Sequence, residues 1–234
     1  MNIIITGASS GVGFEAVLEL ILSGKHNVIA LARSEEKLGK LLEIAKGLNP
    51  DGILYPVAFD IVHDDYADLL QFIGSRFDNQ VDILINNAGV LINKPFTELL
   101  ETDFVEMLQS NFIGHVRIIQ SLLPLMPAGS HILNIGSMGG FQGSAKFSGL
   151  SAYSASKAAL HTLTECLAQE LAERQIKVNC LALGSAQTEM LEKAFPGYES
   201  PVMAFEMGKY IADFALTGHR FFNGKVLPVA VTTP

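Results

Sequence analysis

A chain of 234 residues, 49% hydrophobic and 17% charged, has room for one large domain and little for a second. Its formal net charge of −8, with no basic run, excludes a nucleic-acid partner held through phosphates. Two cysteines exclude a disulfide framework, six scattered histidines lack metal-ligand spacing, and no uncharged apolar run reaches the roughly 18 residues of a membrane span.

A mean hydropathy of +0.31 implies strands buried on both faces and a subunit interface as well. The chain opens on the strand-like NIII, without the basic start and apolar core of an export signal, so a cytoplasmic protein is expected. Cys166 and Cys180 then read as small core residues in a reducing compartment.

Along the chain, short β-rich runs alternate with longer helical patterns. The first run, 3–5, passes through TGASSGVG into a helical stretch at 14–22. Runs at 28–32, 53–59 and 82–85 follow, separated by helical patterns at 35–46 and 66–77. A long helical pattern at 104–123 precedes the run 131–135. Another, at 153–173, repeats Leu160, Leu163, Leu167 and Leu171 at helical spacing before the run 177–183. The segment 189–214 is expected to form a short lid over a ligand. Its Met190, Leu191, Phe195, Tyr198, Met203, Phe205 and Met207 suit an apolar ligand, yet would equally cover an exposed edge of the core. The run 225–229 closes the series. This alternation predicts an α/β fold: one doubly wound, Rossmann-type parallel sheet of about seven strands with helices on both faces, a single domain over 1–234.

Gly7, Gly11 and Gly13 fall between the first strand and the first helix, with Ser9, Ser10 and Val12 among them. A doubly wound fold binds a dinucleotide's pyrophosphate at that place, where glycines permit a tight turn and the helix start offers free N–H groups. The spacing is G-x-x-x-G-x-G. A fold of this kind that uses NAD places an acid at the end of the second strand, on the ribose hydroxyls. Here Ala32 takes that place and Arg33 follows it. A guanidinium pairs with a 2′-phosphate that a carboxylate would repel, so NADP(H) is expected in preference to NAD(H).

Tyr153 and Lys157, in YSASK, stand about one helical turn apart on one face. A phenol of ordinary pKa about 10 is a poor acid near neutrality, and an ammonium within reach lowers that value. Alone, the pentapeptide fits a surface lysine beside a half-buried tyrosine better.

Taken together, these segments resemble the short-chain dehydrogenase/reductase family over nearly the whole chain. TGASSGVG is similar to the family's TGxxxGxG turn. FDI at 59–61 resembles its adenine contact, implying Asp60 and Ile61. NNAG at 86–89 matches the segment after the fourth strand, implying Asn86, Ala88 and Gly89. Asn111 falls where the family has its helical asparagine, and NIGS ends on Ser137 as the family's fifth strand ends on its serine. YSASK matches the YxxxK pair, and LGSAQTEM resembles the PGxxxT segment, implying Gly184, Ala186 and Thr188.

The resemblance implies an oxidoreductase that interconverts a carbonyl and an alcohol by hydride transfer. Tyr153 would exchange the proton with the substrate oxygen, and Lys157 would lower the tyrosine pKa and hold the nicotinamide ribose. Ser137 would hydrogen-bond the substrate oxygen, and Asn111 would anchor a water next to Lys157. Three features depart from the pattern. Ser137 and Tyr153 lie 16 apart where the family more often has about 13, the surplus falling in FQGSAKFSGL. Leu183 replaces the proline of the PG pair, leaving that backbone less fixed. The tail LPVAVTTP lacks an Asp-Gly-Gly ending, which argues against a tetramer built through it.

The expected substrate is a small or medium apolar aldehyde or ketone. Reduction of a 3-oxoacyl group on a carrier protein ranks second, because an acidic carrier needs a basic dock that SLLPLMPAGSH does not offer. A cofactor sensor or scaffold without turnover is the reading from another class, against which Ser137, Tyr153 and Lys157 all stand. A homodimer or homotetramer is expected through the helices at 104–123 and 153–173. Phe112, Val116, Ile119 and Leu123 stripe the first, widened by Ile118 and Leu122, while Ala155, Ala158 and Ala159 let the second pack closely.

Overall fold

The computed structural model describes residues 1–231. Seven parallel strands form one sheet in the order β3-β2-β1-β4-β5-β6-β7. They are β1 (Asn2–Thr6), β2 (Asn27–Ala32), β3 (Ile53–Ala58), β4 (Ile83–Asn86), β5 (His131–Ser137), β6 (Lys177–Leu183) and β7 (Val226–Val229). The central strands are continuous apolar runs because both faces are covered: Ile3, Ile4, Ile5, Leu84 and Ile132 are wholly buried.

The helices on one face are α1 (Gly11–Leu22), α2 (Glu35–Leu48) and α8 (Ala204–Thr217). Those on the other are α3 (Tyr66–Phe77), α5 (Gly114–Leu122) and α6 (Ser151–Glu170). On α1, Gly13, Ala16, Val17, Leu20 and Ile21 form the buried stripe, at helical spacing. Ser34 caps α2 by accepting from the Lys37 N–H at 3.3 Å, and Asp65 caps α3 by accepting from Ala67 N–H at 3.0 Å.

The helix predicted at 104–123 is broken. α4 (Glu101–Leu108) and α5 are joined by a π turn over Gln109–Ile113 that inserts an extra residue where Asn111 faces inward. Of the stripe expected on it, Ile118, Ile119 and Leu122 are spent in the core, while Phe112, Val116 and Leu123 are half-buried. The segment 189–214 also divides. α7 (Glu189–Ala194) borders the cleft, whereas Met207, Ile211 and Phe214 of α8 are core. A Cβ on Gly208 would stand 2.8 Å from the Ala16 nitrogen, so α8 packs backbone-close on α1.

Cys180 is buried as expected, but Cys166 is exposed on the outer side of α6. Leu183 is pinned by pairing with Ser137 on one side and Val229 on the other, which supplies the rigidity a proline would have given. Residues 232–234 of the tail lie outside the described residues. Among the described residues no helix is long and apolar enough to cross a membrane.

Candidate active site

The strand order reverses between β1 and β4, and a cleft of about 760 Å³ opens there at the carboxyl ends of the strands. One wall is the glycine turn. Gly7 has φ +67°, and a Cβ on it would lie 2.7 Å from Ala88 Cα, so the loops after β1 and β4 touch backbone to backbone. Gly13 leaves no room for a Cβ against Asn87 and the Gly7 carbonyl. Ser10, at the N-cap of α1, makes no side-chain capping bond, and the first turn carries no acid. The first-turn N–H groups are thus left for an anion, and Ser9, Ser10, Gly11 and Val12 line the cleft beside them. A nicotinamide dinucleotide fits this cradle.

The loop after β4 is tied to that turn. Thr6 Oγ1 accepts from the N–H groups of Asn87 and Ala88, each at 3.0 Å. Asn87 Nδ2 donates to the Thr6 and Gly7 carbonyls at 3.0 and 3.1 Å. Ala88 and Gly89 line the cleft, but Asn86 does not. Its amide turns away and donates to Asn134 Oδ1 at 2.9 Å, and Asn134 in turn donates to Thr164 Oγ1 at 2.9 Å. The expectation for Asn86 therefore moves one residue on, to Asn87, because β4 ends at Asn86 and successive side chains point to opposite faces.

At the far end of the cleft stand Ala32, Arg33, Ser34 and Lys37 on one side, with Asp60, Ile61 and Val62 on the other. Asp60 Oδ1 accepts from Val62 N–H at 2.8 Å, shaping that loop. Lys37 pairs with Glu189 of α7 at 2.8 Å across the cleft mouth, a neighbour that sequence spacing could not reveal.

At the other end, Tyr153 and Lys157 project from α6 toward Ser137 at the end of β5, and all three line the cleft. Ser137 Oγ accepts from Gly139 N–H at 3.1 Å, which orients its hydroxyl. Lys157 is buried and donates to the Ile135 carbonyl at 2.8 Å. Burial pushes its pKa down to about 8, partly offset by Cys180. Burial also raises the Tyr153 pKa, opposed by the hydrogen bond to Ser137. At Tyr153 burial is the largest influence and the Ser137 hydrogen bond opposes it, while the Lys157 ammonium donates to the Ile135 carbonyl.

Asn111 is wholly buried and lies behind the cleft lining. Its Oδ1 accepts from Val90 N–H at 2.8 Å, and its Nδ2 donates to the Val90 carbonyl at 3.0 Å and to Ser156 Oγ at 2.9 Å. It clasps the loop after β4 to α6. Gly184, Ala186 and Thr188 line the cleft after β6, where Thr188 caps α7 by accepting from Leu191 N–H at 3.2 Å.

The longer loop between Ser137 and Tyr153 is a built structure. Ser144 Oγ donates to the Met138 and Phe141 carbonyls at 2.5 and 2.9 Å, and Lys146 Nζ donates to Phe141 O at 2.6 Å. It presents Phe147, 56% exposed, at the cleft rim near Met138 and Leu150. Met190, Leu191, Phe195 and Tyr198 line the α7 side.

A family model described as short chain dehydrogenase matches residues 1–199. An uncharacterized oxidoreductase of Staphylococcus aureus is 33% identical over 187 residues, which is 79% of this chain and 78% of that protein. A dehydrogenase/reductase from Sinorhizobium meliloti superposes with a TM-score of 0.83 at 26% identity, covering 97% of this chain and 92% of that one. ElxO, solved with NADP bound, superposes with a TM-score of 0.83 at 25% identity, covering 97% and 96%. With the glycine turn, the serine, and the tyrosine–lysine pair gathered on one cleft, the chain belongs to the short-chain dehydrogenase/reductase family and is an NAD(P)-dependent oxidoreductase.

Proposed function

We propose that the protein is an NADP(H)-preferring reductase of small or medium apolar aldehydes and ketones. One observation carries the cofactor preference: β2 ends in Ala32 where an acid would hold NAD, and Arg33, Ser34 and Lys37 gather at that end of the cleft. Arg33 offers the planar donor set that suits a phosphate, and Lys37 adds a second cation. The likeness to ElxO with NADP bound supports this reading.

A bound nicotinamide supplies the hydride. Tyr153 gives the proton to the carbonyl oxygen, or takes it from the alcohol in the reverse direction. Ser137 holds that oxygen as charge develops on it. Lys157 holds the ribose and stabilises the phenolate left on Tyr153. Asn111 fixes the loop after β4 against α6 and anchors a water beside Lys157. The apolar rim of Leu91, Met138, Phe147, Leu150, Met190 and Tyr198 favours an apolar substrate, over which the α7 side acts as a short lid.

We place the protein in the cytoplasm and assemble it as a homodimer or homotetramer through α4, α5 and α6. Val105, Leu108 and Ile113 are exposed there. The test of the function is loss of NADPH absorbance over a panel of aldehydes, ketones and quinones, with NADH alongside. Turnover of apolar carbonyls with NADPH is expected; a panel consumed only with NADH, or not at all, overturns the reading.

A further inference from the structure

Phe195, Pro196, Gly197 and Tyr198 make a tight turn just past α7. Tyr198 N–H donates to the Phe195 carbonyl at 3.1 Å, and Gly197 takes φ +79°, as the third place of a type II turn requires, with proline in the second. The turn leaves Tyr198 on the cleft wall. The chain then runs back beside the loop after β6. Gln187 N–H donates to the Val202 carbonyl at 2.8 Å, Gln187 pairs with Met203 in an isolated bridge, and Gln187 Oε1 accepts from Ser200 N–H at 2.9 Å. Ser200 is thereby held against Ser185.

The hydroxyls of this corner form a chain with a direction. Ser200 Oγ accepts from Val202 N–H at 3.2 Å and donates to Ser185 Oγ at 3.1 Å. Ser185 Oγ and Tyr198 Oη lie 3.3 Å apart; that contact is exposed, and both residues line the cleft. Each hydroxyl has one hydrogen to give. Ser200 spends its own on Ser185, so the bond between Ser185 and Tyr198 uses one of the two hydrogens they hold. Whichever of them donates, one O–H has no acceptor among the described residues.

This spare donor stands within reach of the reacting centre. Ser185 lies two residues past Leu183, the register partner of Ser137. Paired strands are about 4.8 Å apart and two residues of chain add at most about 7 Å, so the Ser185 Cα lies within about 12 Å of the Ser137 Cα. A ligand of a few carbons spans the gap between the two side chains.

We propose that the Ser185–Tyr198 hydroxyl pair is a second polar anchor for the substrate, donating its spare hydrogen to an acceptor oxygen a few carbons from the reacting carbonyl. The inference rests on the cleft being that of a carbonyl reductase with Ser137 and Tyr153 at the reacting oxygen. It narrows the substrate to an apolar carbonyl compound carrying a second acceptor oxygen, as a dicarbonyl does. An analogue without that oxygen strips water from the donor and returns no bond, so the site discriminates against it.

The experiment compares ketones in pairs: diacetyl with methyl isopropyl ketone, acetylacetone with methyl isobutyl ketone, and acetonylacetone with methyl isoamyl ketone. Within a pair a methyl group replaces the second oxygen, and from pair to pair that oxygen moves one carbon further away. NADPH-dependent kcat/KM is measured on wild type, Ser185→Ala, Tyr198→Phe and the double variant. Calorimetry gives each Kd on the protein saturated with NADP+, a readout that needs no turnover. Comparing the ratio within a pair between proteins cancels the intrinsic reactivity of each carbonyl.

In at least one pair the preference for the dicarbonyl is expected to fall about threefold to tenfold from wild type to the double variant, the size of one neutral hydrogen bond. The single variants show which oxygen holds the spare hydrogen, and they decide by the same ratio should the double variant fail to fold. Ratios unchanged in all three pairs, in both readouts, overturn the proposal. So does a wild type that neither binds nor reduces any of the six compounds. A double variant that loses NADPH affinity while the ratios stand gives the hydroxyls to the cofactor and overturns it too. A preference lost in Kd, on a protein that reduces none of them, upholds the anchor and instead removes the carbonyl-reductase reading.

Discussion

Asn87 is expected to be the pin of the cofactor cradle, and its loss has a size that follows from two bonds. Its amide donates to the Thr6 carbonyl at 3.0 Å and the Gly7 carbonyl at 3.1 Å. Asn87→Ala removes both bonds and leaves the two carbonyls without that donor. At about 0.5–1.5 kcal/mol net for each bond, the loss is about 1–3 kcal/mol. For a chain of this size each kcal/mol moves Tm by about 2–4 °C, so Tm falls by about 2–12 °C. The same turn presents the first N–H groups of α1, so NADPH affinity falls with it, by about tenfold to 100-fold. Asn86→Ala is the matched control. Its amide faces Asn134 behind the cleft, so stability falls while NADPH affinity stays near wild type. Calorimetry and NADPH fluorescence titration read the two effects separately. An Asn87→Ala protein that binds NADPH as wild type does, or an Asn86→Ala protein that loses binding as far, refutes the assignment.

Tyr153→Phe deletes only the proton-carrying oxygen, so kcat falls by about 10²–10⁴-fold while the NADPH Kd barely moves; stopped-assay rates with a titration on the same sample check it. Lys157 sits at about 8 in the folded protein, below its ordinary value, so the unfolded chain binds that proton more tightly. Stability from this group therefore rises with pH between about 8 and about 10.4, and the cost of burying the charge is fully present below that window. Lys157→Met removes the cost: urea denaturation finds the variant ahead of wild type near neutrality, by a margin that shrinks as pH climbs through the window. Light scattering at micromolar concentration gives a dimer or tetramer mass, and a fully active monomer contradicts the assembly through α4, α5 and α6.

The sheet was legible because its strands are buried on both faces, so Ile3–Ile5 or Leu181–Leu183 show as unbroken apolar runs. Helix ends were less so: α1 begins at Gly11, inside the glycine turn, since a helix start needs only N–H groups without partners. The π turn at Asn111 was not legible in the 104–123 pattern: an inserted residue turns the stripe after it by about 100°, but the stripe read there, Phe112 to Leu123, lies within or after the turn. Asn86 and Asn87 are the same residue type in adjacent places, and which one meets the cleft depends on where β4 stops. Spacing placed Tyr153 over Lys157, but their pKa values depend on burial and on Ser137 and Cys180, which only the fold brings near. Lys37 and Phe147 joined the site through α7 and the long loop, contacts distant in sequence.

Titration of wild type with NADPH and with NADH, beside the same pair for Ala32→Asp/Arg33→Ala, tests the central claim most directly. A charge-assisted bond between Arg33 and the 2′-phosphate is worth about 1.5–3 kcal/mol, so NADPH binds wild type roughly 10- to 100-fold tighter than NADH, and the double variant reverses or erases that gap. Equal affinities in wild type, or a gap untouched by the double variant, would contradict the account.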